Sequence, residues 1–169
     1  MASSIQEIYI TGLQNAHALE AQAIQLCNRQ VERLENYPEM REQLRMHAEE
    51  SRRQQERIDQ ILQTLGSSPC TLKDIGTSIT GNLAAIGHAL MPDEVIKNTF
   101  ANYAFEHFEI AAYRSLLTMA EMAGDSRSPR LLQESLNEEL RMAKWIEDNL
   151  DATTRRYMQL ESSGQTAGV

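Results

Sequence analysis

Helix breakers are confined to a few places in this chain, and the stretches between them keep a helical repeat of apolar residues. All 4 prolines stand at boundaries. Pro38 follows Asn36-Tyr37, Pro69 follows Gly66-Ser67-Ser68, Pro92 follows Met91, and Pro129 closes Gly124-Asp125-Ser126-Arg127-Ser128. Proline has no N–H to donate, so it opens a helix readily and breaks one from inside. A first helix is expected after Ser3 or Ser4, with Glu7 completing a capping box. Leu13, Ala16, Ile24, Cys27, Val31 and Leu34 mark its apolar period. A second helix opens at Pro38 and carries Leu44, Ala48, Ile58, Ile61, Leu62 and Leu65. A third runs from Pro92 to about Gly124, and a fourth carries Leu132, Leu136, Leu140, Ala143, Ile146 and Leu150. Aromatic residues make up only 5% of the chain, and the helix formers Ala, Leu, Gln, Glu, Arg and Met fill it instead.

Two long helices joined by a tight turn pack antiparallel, and this chain has two such pairs. Between the pairs, residues 70–91 read as a shorter, weaker helix of small and modestly polar residues. That connection is long enough to be the crossover that separates a ferritin-like bundle from a simple up-and-down one. The expected fold is therefore all-α: a ferritin-like four-helix bundle with a long crossover containing a short fifth helix. At 169 residues and 41% hydrophobic content, one domain over residues 1–161 suffices, with 162–169 as a polar, disordered tail. A net charge of −8 disfavours nucleic acid and anionic membranes, which require clustered Lys and Arg. Cys27 and Cys70 are too few for a disulfide scaffold, and Cys27 reads as a small core residue. The start lacks a signal peptide and no apolar run reaches membrane-spanning length, so the cytoplasm is the expected compartment.

The informative residues are acids on the wrong side of their helices. Stepping about 100° per residue places Glu20 between Leu13 and Ile24, on a face shared with His17 and Cys27. Glu50 falls at the core edge of the second helix, beside His47 and Gln54, while Glu49 points to solvent. Glu139 shares the face of Leu132, Leu136 and Ala143, while Glu138 is expected to face out. Glu106 and Glu109, three residues apart, lie on one face that Tyr113 and Leu117 continue. The third helix has a second apolar face through Phe100, Ala104 and Ala111, so it could be buried on two sides. Converging carboxylates repel in a low dielectric unless protons or cations compensate them. An oxygen-rich set of this kind suits iron, or alternatively manganese, and two ions are expected. The competing reading is that these are surface glutamates of an acidic protein.

The stretch Glu106-His107-Phe108-Glu109-Ile110-Ala111-Ala112-Tyr113 resembles the signature of the bacterial YciE/YciF stress-protein family, a ferritin-like domain family of unknown function. Weaker echoes are Glu20 with Gln22, His47-Ala48-Glu49-Glu50 with Glu56-Arg57-Ile58-Asp59, and Leu136-Asn137-Glu138-Glu139; together they cover residues 4–150. The resemblance implies a five-helix ferritin-like fold, a homodimer, and a rubrerythrin-like carboxylate site with a stress association, but no catalysed reaction. Carboxylate bundles of this kind usually carry Glu-x-x-His on the second and fourth helices. Here Arg53 stands three residues after Glu50 and Met142 three after Glu139, and neither can replace histidine. His17, three residues before Glu20, or else His107 would have to supply the nitrogen; His17 could instead orient Glu20 by a hydrogen bond.

The remaining candidates read more plainly. His47 is expected as a hydrogen-bonded core histidine, His107 as an orienting or interface residue, and His88 has no visible partner. Arg52-Arg53, flanked by Glu49, Glu50 and Glu56, looks like a salt-bridged surface. Trp145 projects from the core face together with Leu131 and marks an expected dimer contact on the fourth helix or crossover, unless it packs within one subunit. No phosphate loop, Cys-x-x-Cys pair or nucleophile elbow occurs. Two functions remain open. One is a redox protein whose metal meets peroxide, oxygen or another small oxidant, or is itself oxidised; the other is a non-enzymatic structural or partner-binding stress protein. Metal buffering is a third, weaker reading.

Overall fold

Four helices account for most of the residues that the computed structural model describes, which are 3–69 and 94–167. They are α1 (Ile5–Val31), α2 (Pro38–Thr64), α3 (Glu94–Met122) and α4 (Pro129–Ser162). The starts of α1, α2 and α4 obey the sequence signals. Ser4 caps α1 by accepting from the Glu7 N–H at 3.2 Å, and its own N–H donates to Glu7 at 2.7 Å. Pro38 and Pro129 occupy the first turns of α2 and α4. α2 ends at Gly66, whose φ of 72° lets the Ser67 N–H turn back to the Leu62 carbonyl at 2.8 Å. The expected crossover helix, Cys70, His88 and the Pro92 start lie outside the described residues.

α1 pairs with α2 and α3 with α4, while α1 also packs on α3 and α2 on α4. Direction follows from which ends meet. Gln30, late in α1, exchanges amide hydrogen bonds of 2.9 and 2.8 Å with Asn102, early in α3. Tyr9, early in α1, donates to Asp125 beyond the end of α3 at 3.3 Å. α1 is thus antiparallel to both neighbours, and α2 and α3 run the same way. The end of α2 and the start of α3 lie at opposite ends of a bundle roughly 40 Å long, at 1.5 Å per helical residue. This is crossover topology, as expected. Among the described residues no helix is long and apolar enough to cross a membrane.

The core is layered along the bundle. One apolar cluster joins Leu13, Ile58, Ile61, Leu62, Ile110, Leu116, Leu132 and Leu136. Another joins Cys27, Met40, Leu44, Met142, Ile146 and Leu160. Every helix leaves its polar residues between them: Glu20, then His47 to Gln54, then Glu106 and Glu109, then Glu139.

Three expectations need correction. Glu138 does not face solvent; it is 6% exposed because Arg57 of α2 reaches across and pairs with it. Trp145 is not a solitary exposed tryptophan but half-buried against the second cluster, beside Tyr37 and Met40 at a cavity of about 210 Å³. Residues 163–167 are not a disordered tail. They turn at Gly164, and the Tyr37 hydroxyl and Asn36 amide donate to the carbonyls of Ala167 and Thr166 at 2.7 and 2.8 Å. Ala167 is buried as a result.

Ile58 is fully buried under the first cluster. Ile58→Ala is expected to lower unfolding free energy by about 2–5 kcal/mol, read by denaturant titration, while native helicity is kept.

Candidate metal centre

Each helix delivers polar side chains to the middle layer by the same 3–4 residue step that delivers its apolar ones. In α1 the stripe is Leu13, Ala16, Glu20, Ala23, Cys27; in α2 it is Leu44, His47, Ser51, Gln54, Ile58. α3 contributes Asn102, Glu106, Glu109, Tyr113 and α4 contributes Leu136, Glu139, Met142, Ile146. Glu20, Glu106, Glu109 and Glu139 are 0–3% exposed and His47 is 0% exposed.

These groups converge. Ligand-capable atoms of His47, Glu106, Glu109 and Glu139 all lie within 4.8 Å of one another. His47 Nε2 is 3.3 Å from Glu106 Oε2 and 3.7 Å from Glu139 Oε2. Its Nδ1 is 3.5 Å from Glu50 Oε2, and Glu50 also meets Arg141 at 3.3 Å. Glu20 stands beside the set and accepts the Tyr113 hydroxyl at 2.6 Å. Donors held about 2.0–2.2 Å from one cation lie up to roughly 4.4 Å apart, so small side-chain rotations would close this set around an ion.

Many of these atoms have no hydrogen-bond partner: both Glu109 oxygens, Glu20 Oε2, Glu106 Oε2, Glu139 Oε2 and both His47 nitrogens. Buried polar atoms are almost always satisfied, and an unpaired buried carboxylate is costly. Burial raises Glu20 to about 7, with the Tyr113 hydroxyl opposing. Burial, followed by the neighbouring acids, raises Glu109 well above the carboxylate range; burial does the same for Glu139, with Glu20 adding to it. For His47 burial acts downward, yet Glu106, Glu50 and Glu139 lift it well above its ordinary value. Without a cation, protons must fill this pocket. The buried His/Glu group can hold a metal, and its oxygen-rich donors suit hard or borderline cations. Cys27, one layer away, is raised to about 12 by burial and remains a thiol.

The structure brings Glu106, Glu109 and Glu139 together, places Glu20 beside them, and leaves Glu50 and His17 outside. Glu50 stays at the core edge, its side chain 21% exposed, behind the imidazole. His17 turns from Glu20 toward α2, where its Nε2 lies 3.3 Å from Asp59 Oδ1. A three-residue step rotates the side chain by about 60° away from Glu20, enough to reach the neighbouring helix instead. His107 is exposed and meets Tyr103 edge-on at 4.5 Å. The nitrogen at the cluster is His47, which sequence reasoning treated as an ordinary core histidine. Its signal was present in reverse order, as His47-x-x-Glu50 rather than Glu-x-x-His.

Residues 4–159 match the family described as a domain of unknown function, DUF892. The chain is 29% identical to protein YciF of Escherichia coli (strain K12) over 147 residues, covering 80% of this chain and 84% of YciF. The crystal structure of that stress protein superposes with a TM-score of 0.75 at 24% identity, over 88% of this chain and 96% of YciF. A protein of Xanthomonas campestris pv. campestris matches with a TM-score of 0.80 and 29% identity over 94% of this chain and 99% of its own. The bacterioferritin of Desulfovibrio desulfuricans, which has a di-iron site, shares the fold with a TM-score of 0.71 at 22% identity, over 91% of this chain and 86% of its own.

The proton-filled pocket has a pH signature. Glu20, Glu109 and Glu139 have folded pKa values above the ordinary 4.5, so the folded chain binds more protons and is most stable at low pH. That stability is lost as pH rises from about 4.5 through the folded values. His47 acts in the same sense: its contribution is present below 6.5 and is lost as pH rises through its raised folded value. For Glu20 alone the full swing is roughly 3 kcal/mol. In chelator, the protein is expected to melt at higher temperature at pH 6 than at pH 8, and divalent metal should shrink or reverse the difference. Equal or rising metal-free stability across that range would contradict the shared-proton account.

Proposed function

The chain belongs to the DUF892 family, and from that premise we propose a stress-associated redox protein. In this reading, His47, Glu20, Glu106, Glu109 and Glu139 hold two metal ions, iron foremost, and the site handles peroxide, oxygen or iron itself. The observation that carries the proposal is Glu109: fully buried, with neither oxygen hydrogen-bonded, in the middle of a cluster of further acids. Four inward carboxylates carry the charge that two divalent cations neutralise, and a neutral imidazole supplies nitrogen without altering that balance. The iron assignment draws on the shared fold of a bacterioferritin with a di-iron site and on the donor chemistry.

The chain's own residues would divide the work. His47 turns Nε2 toward the acids while Glu50, held below the usual carboxylate range by the adjacent His47 ring, takes the Nδ1 side and orients it. Tyr113 fixes Glu20 by its hydroxyl. The two apolar clusters exclude bulk water from either end of the layer. When bound, iron supplies one-electron redox chemistry and a position for a small oxidant. Glu20, Glu109 and Glu139, whose affinity for protons is raised, would hold the protons that metal binding displaces and releases.

Metal analysis of protein from iron-replete cells is expected to find about two ions per chain, by the pattern of carboxylate bundles. Glu106→Ala, Glu109→Ala or Glu139→Ala should lose bound metal and stay helical, whereas Glu49→Ala, at an exposed position, should bind normally. Colourless, metal-free wild-type protein that also fails to bind added iron would favour the non-enzymatic structural reading instead.

A further inference from the structure

α4 carries two successive buried glutamates, Glu138 and Glu139, and one amide of α2 touches both. Gln54 is fully buried; its Nε2 donates to Glu138 Oε2 at 3.0 Å and also to Glu139 Oε1. Glu138 is in turn gripped by Arg57, Nη1 to Oε2 at 2.6 Å and Nη2 to Oε1 at 2.9 Å. Arg57 is itself anchored on Ser135 at 3.2 Å and on the half-exposed Glu134 at 2.9 Å. Bidentate Arg–carboxylate pairing is the most geometrically defined ion pair available to a protein. Glu138 is therefore fully engaged and cannot swing into the cluster.

Glu139 is left with one committed oxygen, Oε1, and one without a partner, Oε2. Glu20 has the same arrangement, since Tyr113 holds Oε1 while Oε2 is free. Both oxygens of Glu109 are buried without a partner. We propose that Gln54, locked by the Arg57–Glu138 pair, is a positioning residue that engages Glu139 Oε1 and so presents Glu139 to a cation through Oε2. The inference rests on the metal-binding reading above and adds to it a string of residues from the surface to one ligand. Partners of this kind typically change metal affinity by 10–100-fold when removed.

Cobalt(II) is a suitable probe, because its visible absorption reports the coordination of the site as well as its occupancy. Gln54→Met is expected to remain helical, bind cobalt 10–100-fold more weakly and show an altered cobalt spectrum. Replacing the pair together, Arg57→Met with Glu138→Met, should move affinity and spectrum in the same direction by a smaller factor while folding normally, since an apolar replacement of a buried ion pair is often neutral for stability. Gln30→Met removes an equally buried interhelical amide contact, that to Asn102, and should leave cobalt binding unchanged. Wild-type affinity and spectrum in both string variants, or equal weakening by Gln30→Met, would overturn the positioning role while leaving the metal site standing. Wild-type protein that binds neither cobalt nor iron would overturn both.

Discussion

Four carboxylates in one dry layer cannot all be charged without compensation. At the few-ångström separations in this cluster, like charges in a low dielectric cost more than a folded domain of this size can spare. The layer is stable only with protons, cations or both in place of water. Everything else in the bundle is arranged around that restriction. Apolar clusters close the layer at both ends, His47 lies against the acids, and hydrogen-bond donors are supplied to some carboxylate oxygens and withheld from others.

Topology decides which helices meet there. Because α2 and α3 run in the same direction, each is antiparallel to both α1 and α4, and the middles of α1, α2 and α3 meet the first half of α4 at the polar layer. α3 is the least amphipathic of the four, with Glu106, Glu109 and Tyr113 inward while Phe100 and Phe108 stay about half exposed on its outer side. The second apolar face expected from periodicity, Phe100, Ala104 and Ala111, is exposed rather than buried, so the two-sided burial that the pattern allowed does not occur among the described residues.

Rotational position along a helix was legible in the sequence; attraction between helices was not. Glu20, Glu106, Glu109 and Glu139 each fall on their own helix's apolar stripe, so the 100° step alone turns them inward. Glu138 defeats that rule, because its burial is set by Arg57 on another helix. His17 defeats it for the same reason: Asp59 draws it across to α2. Periodicity left Trp145 between two environments because the cluster it packs on includes the α1–α2 turn and the chain end, remote in sequence. Capping, by contrast, is local, and Ser4, Glu7, Pro38 and Pro129 behave as their immediate neighbours dictate.

The unusual order of His47 and Glu50 has a simple geometric meaning. In either order, residues three apart lie on one helix face, so the pair can place an imidazole and a carboxylate side by side. What the order exchanges is which of them lies on the inward face, since a three-residue step turns the other by about 60° toward the helix edge. With histidine first, His47 sits at 0% exposure and Glu50 at the edge, paired with Arg141. The carboxylate that a Glu-x-x-His helix would offer to a cation becomes here the group behind the ring. α3 supplies the replacement, since Glu106-x-x-Glu109 brings two acids where one would ordinarily serve. The count of inward carboxylates is thereby kept at four, and Arg57 holds it there by cancelling the charge of Glu138. A buried fifth acid without that cation would add another uncompensated charge to the layer. The guanidinium can thus set the charge of the centre without touching it.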